Sequence, residues 1–291
     1  MLVTVRPGQT TALGLSAGRV AVESARSAIE KPPWRDLPSL SGSVEGQFIR
    51  PMHVGATIVA YRAREPERAV VPWVDGDLLD GQHERLDEFP GLATWWREAE
   101  RTWERNKSPS SRLSLRDRVD FQGELRRQFP AAQQRVVYTK SGQHLAACRI
   151  DDPAAVIDHK LYWAPAETVE EARYLIAVLN SQALTDAVAP LQARGQHNPR
   201  DFDMHVFAFP FSIFDPGNEA HQTLAELARV AEDVAGSVAI DAGWQFQKAR
   251  RVTRDALREH GVAGQIDAMV DELLAESTAV APVAPAEVAV V

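Results

Sequence analysis

Hydrophobic periodicity changes along this chain in blocks. Strand-like stretches come first, two charged helical stretches follow, strand-like stretches return, and the carboxy-terminal part is mainly helical. A doubly wound fold needs strands and helices in steady alternation. This order instead points to α+β, with small mixed or antiparallel sheets, several packed helices and a helical carboxy-terminal part. The simplest linear division is an extended segment over 1–42 and an α+β domain over 43–215. A helical part over 216–276 and a disordered tail over 277–291 complete it.

Individual elements follow from period and punctuation. Met1–Arg19 carries neither a helical nor a strand period, and Pro32, Pro33 and Pro38 make Ile29–Gly42 an extended connector. The stretch from Gln47 to Ala63 reads as short strands broken at Pro51 and Gly55. "AVVPWV" reads as an edge strand or strand end at Pro72. A helix follows Pro90, anchored by Leu92, Trp95, Trp96 and Trp103. A second covers "SLRDRVDFQGELRRQF", with Ser114 as its cap and Gly123 as a weak point. "RVVYT", "HLAACRI", "AVIDHK" and "LYWAPA" read as a small antiparallel meander. The clearest helix runs from Val169 to Val188, opened by a Thr168–Glu171 capping box. A further helix is capped by Asn218, and the last carries a stripe of Ile266, Met269, Val270, Leu273 and Leu274.

Composition narrows the functional classes. The single cysteine, Cys148, allows no internal disulfide, and its setting in "LAACRI" suits a core residue better than a nucleophile. No apolar run reaches membrane-spanning length, and Leu2–Val5 are too few to form a signal-peptide core, so a cytoplasmic protein without membrane partners is expected. The net charge of −8 weighs against nucleic acid binding over the whole chain. The charge is uneven, however. From Arg97 to Arg149 twelve Lys and Arg stand against six Asp and Glu, a local excess of +6.

Catalytic signatures are missing: there is no glycine-rich phosphate loop, no Gly-x-Ser-x-Gly elbow and no paired-cysteine metal site. No catalytic, cofactor-binding or metal-binding residue is therefore assigned. Asp158 and His159 remain an alternative for a metal-dependent nuclease or hydrolase. Against this, neighbouring strand residues point to opposite faces. The stripe on the last helix offers another alternative, a protein-interaction subunit.

One polar stretch stands apart. Arg194, Gln196, His197, Asn198 and Arg200 lie between the end of an apolar helix and the aromatic strand "HVFAFPF". Arg, Gln and Asn suit bidentate hydrogen bonds to base edges, and Arg and Lys also neutralise phosphate. By composition alone a solvated turn at Asn198–Pro199 explains the stretch better.

The order of the surrounding pieces adds a resemblance. "EEARYLIAVLNSQAL", the Gly-containing polar loop and "HVFAFPFSIFDPGNEAHQTLAELA" resemble the carboxy-terminal target-recognition region of N6-adenine DNA methyltransferases of type II and IIG restriction-modification systems. "VEGQFIRPMHVGATIVAYR", "AVVPW", "RVVYTKSGQHLAACRI" and "VIDHKLYWAPA" are similar to the same region, which spans roughly Pro33 to Glu276. The family's catalytic Asn-Pro-Pro-Tyr/Phe motif has no counterpart, since the only Pro-Pro pair here, Pro32–Pro33, sits between Lys31 and Trp34. The resemblance therefore implies the specificity half without the catalytic half, from a separate subunit or a split gene. It implies double-stranded DNA as partner, with S-adenosylmethionine and the chemistry in a separate methyltransferase or nuclease chain. Arg112, Arg116, Arg118, Lys140 and Lys160 are expected to position the duplex, while Arg194 to Arg200 read bases.

Overall fold

The structure is a computed structural model and describes residues 2–5, 18–26, 30–140, 142–191, 202, 206 and 212–279. The fold is α+β. The chain separates into two units, each assembled from three stretches distant in sequence. The first contains residues 1–52, 66–131 and 154–159, and the second 53–65, 132–153 and 160–291. These boundaries differ from the linear division at 42, 215 and 276. Pairing between distant strands sets them, and local periodicity carries no trace of such pairing.

The first unit is built on β1 (Leu2–Val5), β2 (Arg19–Ser24), β3 (Ser41–Glu45), β4 (Ile49–His53), β7 (Glu67–Val70) and β12 (Val156–Ile157), in the order β12-β4-β7-β1-β2-β3. Leu2–Val5 thus forms a strand within a stretch that lacks a strand period, because its pairing with β2 and β7 supplies the order. Pro51 lies within β4 and does not break it. "AVVPWV" is a strand end and not an edge: β7 is paired on both sides and stops at Val70, and the chain passes Pro72 into a hairpin of β8 (Trp73–Val74) and β9 (Asp77–Leu78).

Helix α1 (Pro90–Asn106) buries Leu92, Trp95 and Trp96 with Val22, Val44 and Val70 of the sheet and with Phe48 of the turn between β3 and β4. Each such side chain, removed from water, stabilises by about 1.5–3 kcal/mol. A strand residue caps this helix. The amides of Gly91 and Leu92 donate to the Glu45 carboxylate at 2.9 and 2.8 Å, and Arg19 pairs with it at 3.0 Å. Burial opposes the Glu45 charge, but these donors outweigh it and hold the carboxyl below its ordinary range. Gly91 is required by contact, since a Cβ there would lie 2.9 Å from Ser43 O.

The predicted second helix is shorter than expected. Ser114 and Asp117 form a capping box on α2 (Leu115–Val119). Gln122 and Gly123 then take positive φ values of 56° and 78°. The Asp120 carboxylate accepts from the amides of Leu125 and Arg126, and so closes a turn in place of a further helix.

The second unit holds a hairpin of β5 (Ile58–Val59) and β6 (Arg62–Ala63) and a sheet of β10 (Gln134–Thr139), β11 (Ala147–Ile150) and β13 (Leu161–Ala166), with β10 central and both of its pairings antiparallel. "AVIDHK" does not join this meander, since its strand β12 belongs to the first unit's sheet. The Val169–Val188 helix is two helices, α3 (Val169–Asn180) and α4 (Gln182–Val188). Ser181 makes the break: its hydroxyl donates to Val178 O and accepts from the Leu184 amide, capping the second helix. Asn180 meanwhile hydrogen-bonds both N–H and C=O of Ala147, like an added strand residue. Only half of the expected Thr168–Glu171 box forms around the Thr168 cap, because Glu171 accepts from Glu167.

Asn218 caps α5 (Glu219–Ser237) by accepting from the amides of Ala220 and His221. Its Ala225, Ala228, Ala231 and Ala235 lie in one core with Ala172 and Ile176 of α3. Next comes α6 (Phe246–His260), a helix that local periodicity misses. Two of its four buried residues are Arg250 and Thr253, which hide an otherwise helical spacing. The stripe on the last helix, α7 (Val262–Ala279), is core: Ile266, Val270 and Leu273 are buried, with Met269 and Leu274 packed against them.

Candidate functional site

The basic stretch from Arg97 to Arg149 is largely answered by the protein's own acids. Arg97 pairs with Asp87 at 2.8 Å, Arg101 with Glu98 at 3.1 Å, Lys107 with Glu104 at 2.8 Å and Arg126 with Asp120. Arg149 meets Asp151 and Glu232 at 2.8 and 3.2 Å. Arg135 is fully buried and donates to Asp152 O at 2.6 Å, so it is a core residue. The local excess of charge therefore overstates what the surface offers a ligand.

Of the residues expected to position DNA, Arg112, Arg116 and Arg118 fall in the first unit around α2. Arg116 pairs with Asp80 at 3.4 Å. Arg112 and Arg118 are exposed and form no ion pair among the described residues. Arg118 borders a cavity of about 170 Å³ whose other walls include Val71, Phe121, Leu125, Asp158 and His159. Asp158 and His159 do not point apart. They stand where β12 gives way to a turn, and His159 Nδ1 lies 2.7 Å from Asp158 Oδ1. No cluster of three metal-ligating side chains occurs among the described residues.

Lys140 and Lys160 belong to the second unit, and strand register brings them together. Thr139 of β10 stands opposite Leu161 of β13, so the next residue on one strand and the preceding residue on the other share one end of the sheet. Those residues are Lys140 and Lys160. Lys160 is exposed, and Lys140 Nζ sits 4.1 Å from the centroid of the Tyr162 ring.

The same end anchors the polar stretch. Arg194, Gln196, His197, Asn198 and Arg200 lie outside the described residues, as does nearly all of the expected strand "HVFAFPF". Their flanks are described. Val188 is fully buried before them, and Phe202 is fully buried after them, its amide donating to Lys140 O at 2.8 Å. Further along, Tyr174 donates its hydroxyl to Ser212 O at 2.7 Å, and Ser212 Oγ lies 2.9 Å from His221 Nε2. His221 Nδ1 accepts from the Asp215 amide at 3.0 Å. Residues 192–201 therefore connect two fixed points, and the second of these is hydrogen-bonded to Lys140.

Cys148 is fully buried and free, and burial pushes its thiol up to about 12, with Glu232 adding to the shift. It supplies no nucleophile near neutral pH. No helix among the described residues is long and apolar enough to cross a membrane. Compared with known proteins, the chain matches no family model and no curated protein.

Proposed function

We propose that this chain is the DNA-reading module of an adenine-specific DNA methyltransferase or restriction-modification enzyme, working with a separate catalytic chain. The observation that carries the reading is the end of the β11-β10-β13 sheet. There Lys140 and Lys160 stand side by side, and Phe202, the residue that closes the 192–201 stretch, is hydrogen-bonded to Lys140. Lysines at a sheet end suit phosphates, and a polar segment with fixed ends suits base edges.

In this reading Gln196 and Asn198 pair with adenine edges, Arg194 and Arg200 with guanine, and Lys140 and Lys160 hold the backbone. Arg112 and Arg118 are further phosphate contacts because their charges are free for a ligand. The methyl donor, S-adenosylmethionine, belongs to the partner chain, which receives the target adenine after it leaves the stack.

Fluorescence anisotropy with duplex DNA, titrated with salt, tests the module directly. Affinity falls steeply with salt, and Lys140→Ala and Lys160→Ala each weaken binding for all sequences while lowering the salt slope by about one. Asn198→Ala relaxes sequence preference and leaves the slope unchanged. Binding that is absent or insensitive to salt, with and without a methyltransferase partner, overturns the reading.

A further inference from the structure

Helix α6 carries Arg250, Arg254 and Arg258 at four-residue intervals, so three guanidinium groups share one stripe. Their surroundings differ. Arg250 is buried, with Nε donating to Ile58 O at 2.9 Å and Nη2 to Gly55 O. Arg258 is exposed, with Asp255 3.9 Å away on its own helix and the Asp267 carboxylate within electrostatic reach. Arg254 is half-buried and makes no hydrogen bond or ion pair among the described residues. Like charges one turn apart destabilise a helix, and removing one from water without a partner adds to that cost.

A cavity of about 40 Å³ lies beside this stripe, and Arg254, Arg258, His144, Asn180, Gln182 and Asp267 are among its walls. At about 10–15 Å³ per water-sized position, it has room for roughly three, the footprint of one tetrahedral oxyanion. His144 brings to it a buried Nδ1 that makes no hydrogen bond of normal geometry among the described residues, although the Gln182 side chain lies close enough to act on the ring. Burial first, and then Arg254 and Arg258, lower the His144 pKa. Asp267 is the one carboxylate among the described lining residues, its Oδ1 accepts from the Gln182 amide at 2.7 Å, and Asp186 lies within electrostatic reach of both Asp267 and His144. Tyr61, another lining residue, holds a φ of 61°, which costs a side-chain-bearing residue about 1–2 kcal/mol. Repelling cations, a buried imidazole nitrogen, a strained wall and an oxyanion-sized space meet at one point.

We propose that this cavity binds a phosphate-class oxyanion, with Arg254 and Arg258 supplying charge and His144 a hydrogen bond. The anion offsets the repulsion along the stripe and gives Arg254 and the His144 Nδ1 an acceptor. The same chemistry occurs in free phosphate and in a phosphodiester backbone. The site stands independently of the DNA-reading proposal.

Isothermal titration calorimetry of the full chain with inorganic phosphate is the test, in chloride of matched ionic strength. Phosphate binds wild type and raises its melting temperature above the chloride control. Arg254→Gln weakens binding by about tenfold or more, the loss expected for a charge-assisted hydrogen bond. His144→Gln weakens it less, and Arg251→Gln, an exposed neighbour, leaves it unchanged. Arg258→Gln carries the same expectation should Arg254→Gln fail to fold. A parallel arm adds duplex DNA. If duplex displaces phosphate and Arg254→Gln weakens both, the oxyanion is a backbone phosphate. If duplex binds Arg254→Gln and wild type alike while phosphate binding drops, it is a free anion. Wild type that ignores phosphate, or binds it as Arg254→Gln and Arg258→Gln do, overturns the site.

Discussion

The two units differ in where they bury arginine. In the first, guanidinium groups mostly meet carboxylates near the surface: Arg85 with Asp75, Arg97 with Asp87, Arg116 with Asp80. In the second, Arg149, Arg173 and Arg229 also meet carboxylates, but a further set meets backbone carbonyls, and the two buried arginines, Arg135 and Arg250, belong to it. Arg62 donates to the carbonyls of Ala235 and Val238 at the end of α5, Arg64 to Trp244 O, and Arg250 to Ile58 and Gly55. Surface ion pairs contribute up to about 1 kcal/mol each, because water already solvates both partners. A guanidinium holding buried carbonyls contributes more, since its loss leaves acceptors with no substitute for water. The same residue type therefore answers surface carboxylates in both units and, in the second, also organises the interior through Arg135 and Arg250.

That contrast is most exposed to test at Arg250. Arg250→Met is expected to destabilise by about 2–4 kcal/mol in urea unfolding, because the Gly55 and Ile58 carbonyls lose their donors. A change below about 1 kcal/mol would remove the distinction between the units.

A pH experiment sharpens the interior side. His53 is buried, and burial, followed by Arg135, lowers its pKa from 6.5 to about 4. In that window the unfolded chain binds the proton and the folded one does not, so stability is lost as pH falls from 6.5 toward 4. The loss is on the order of 2 kcal/mol, and His53→Gln should flatten that part of the profile.

Glu45 gives the first unit's counterpart. Glu45→Ala removes the cap of α1 and costs about 1 kcal/mol. Its folded pKa is lowered, so the carboxylate stabilises above the ordinary value of 4.5 and that contribution fades as acid titrates it below 4.5. Chemical denaturation of Glu45→Gln at pH 7 and pH 3 separates the two terms. The smallest effect belongs to Arg116→Ala. Loss of its pair with Asp80 changes stability by about 0.5 kcal/mol or less, while DNA binding, if the proposed function holds, loses one unit of salt slope.

Much of the local structure was legible before any contact was known. Pro90 with the Trp95–Trp96 pair specified α1, Ser114 and Asn218 specified caps, and the blocks of periodicity specified α+β. Ser181 shows where legibility stops. It sits in a helical pattern, yet its hydroxyl caps a new helix while neighbouring Asn180 completes the Ala147 edge. Helix α6 was illegible for a different reason: an arginine and a threonine occupy its buried face, paid for by carbonyls from another part of the chain. For the candidate site, residue types were legible and their grouping was not. Lys140 and Lys160 are twenty residues apart and meet only through the register of β10 and β13.

By itself, the sequence determined the fold class, the helix caps, the burial of Cys148 and the absence of any run long enough to span a membrane, because these depend on residues within a few positions of one another. Tertiary structure alone decided that β12 joins a sheet other than that of its neighbours. It also decided which arginines find an acid or carbonyl among the described residues, and that Arg254 and His144 line one cavity. Those outcomes depend on long-range pairing. A guanidinium is spent or available according to the acid or carbonyl the fold brings to it, and no local pattern encodes that partner.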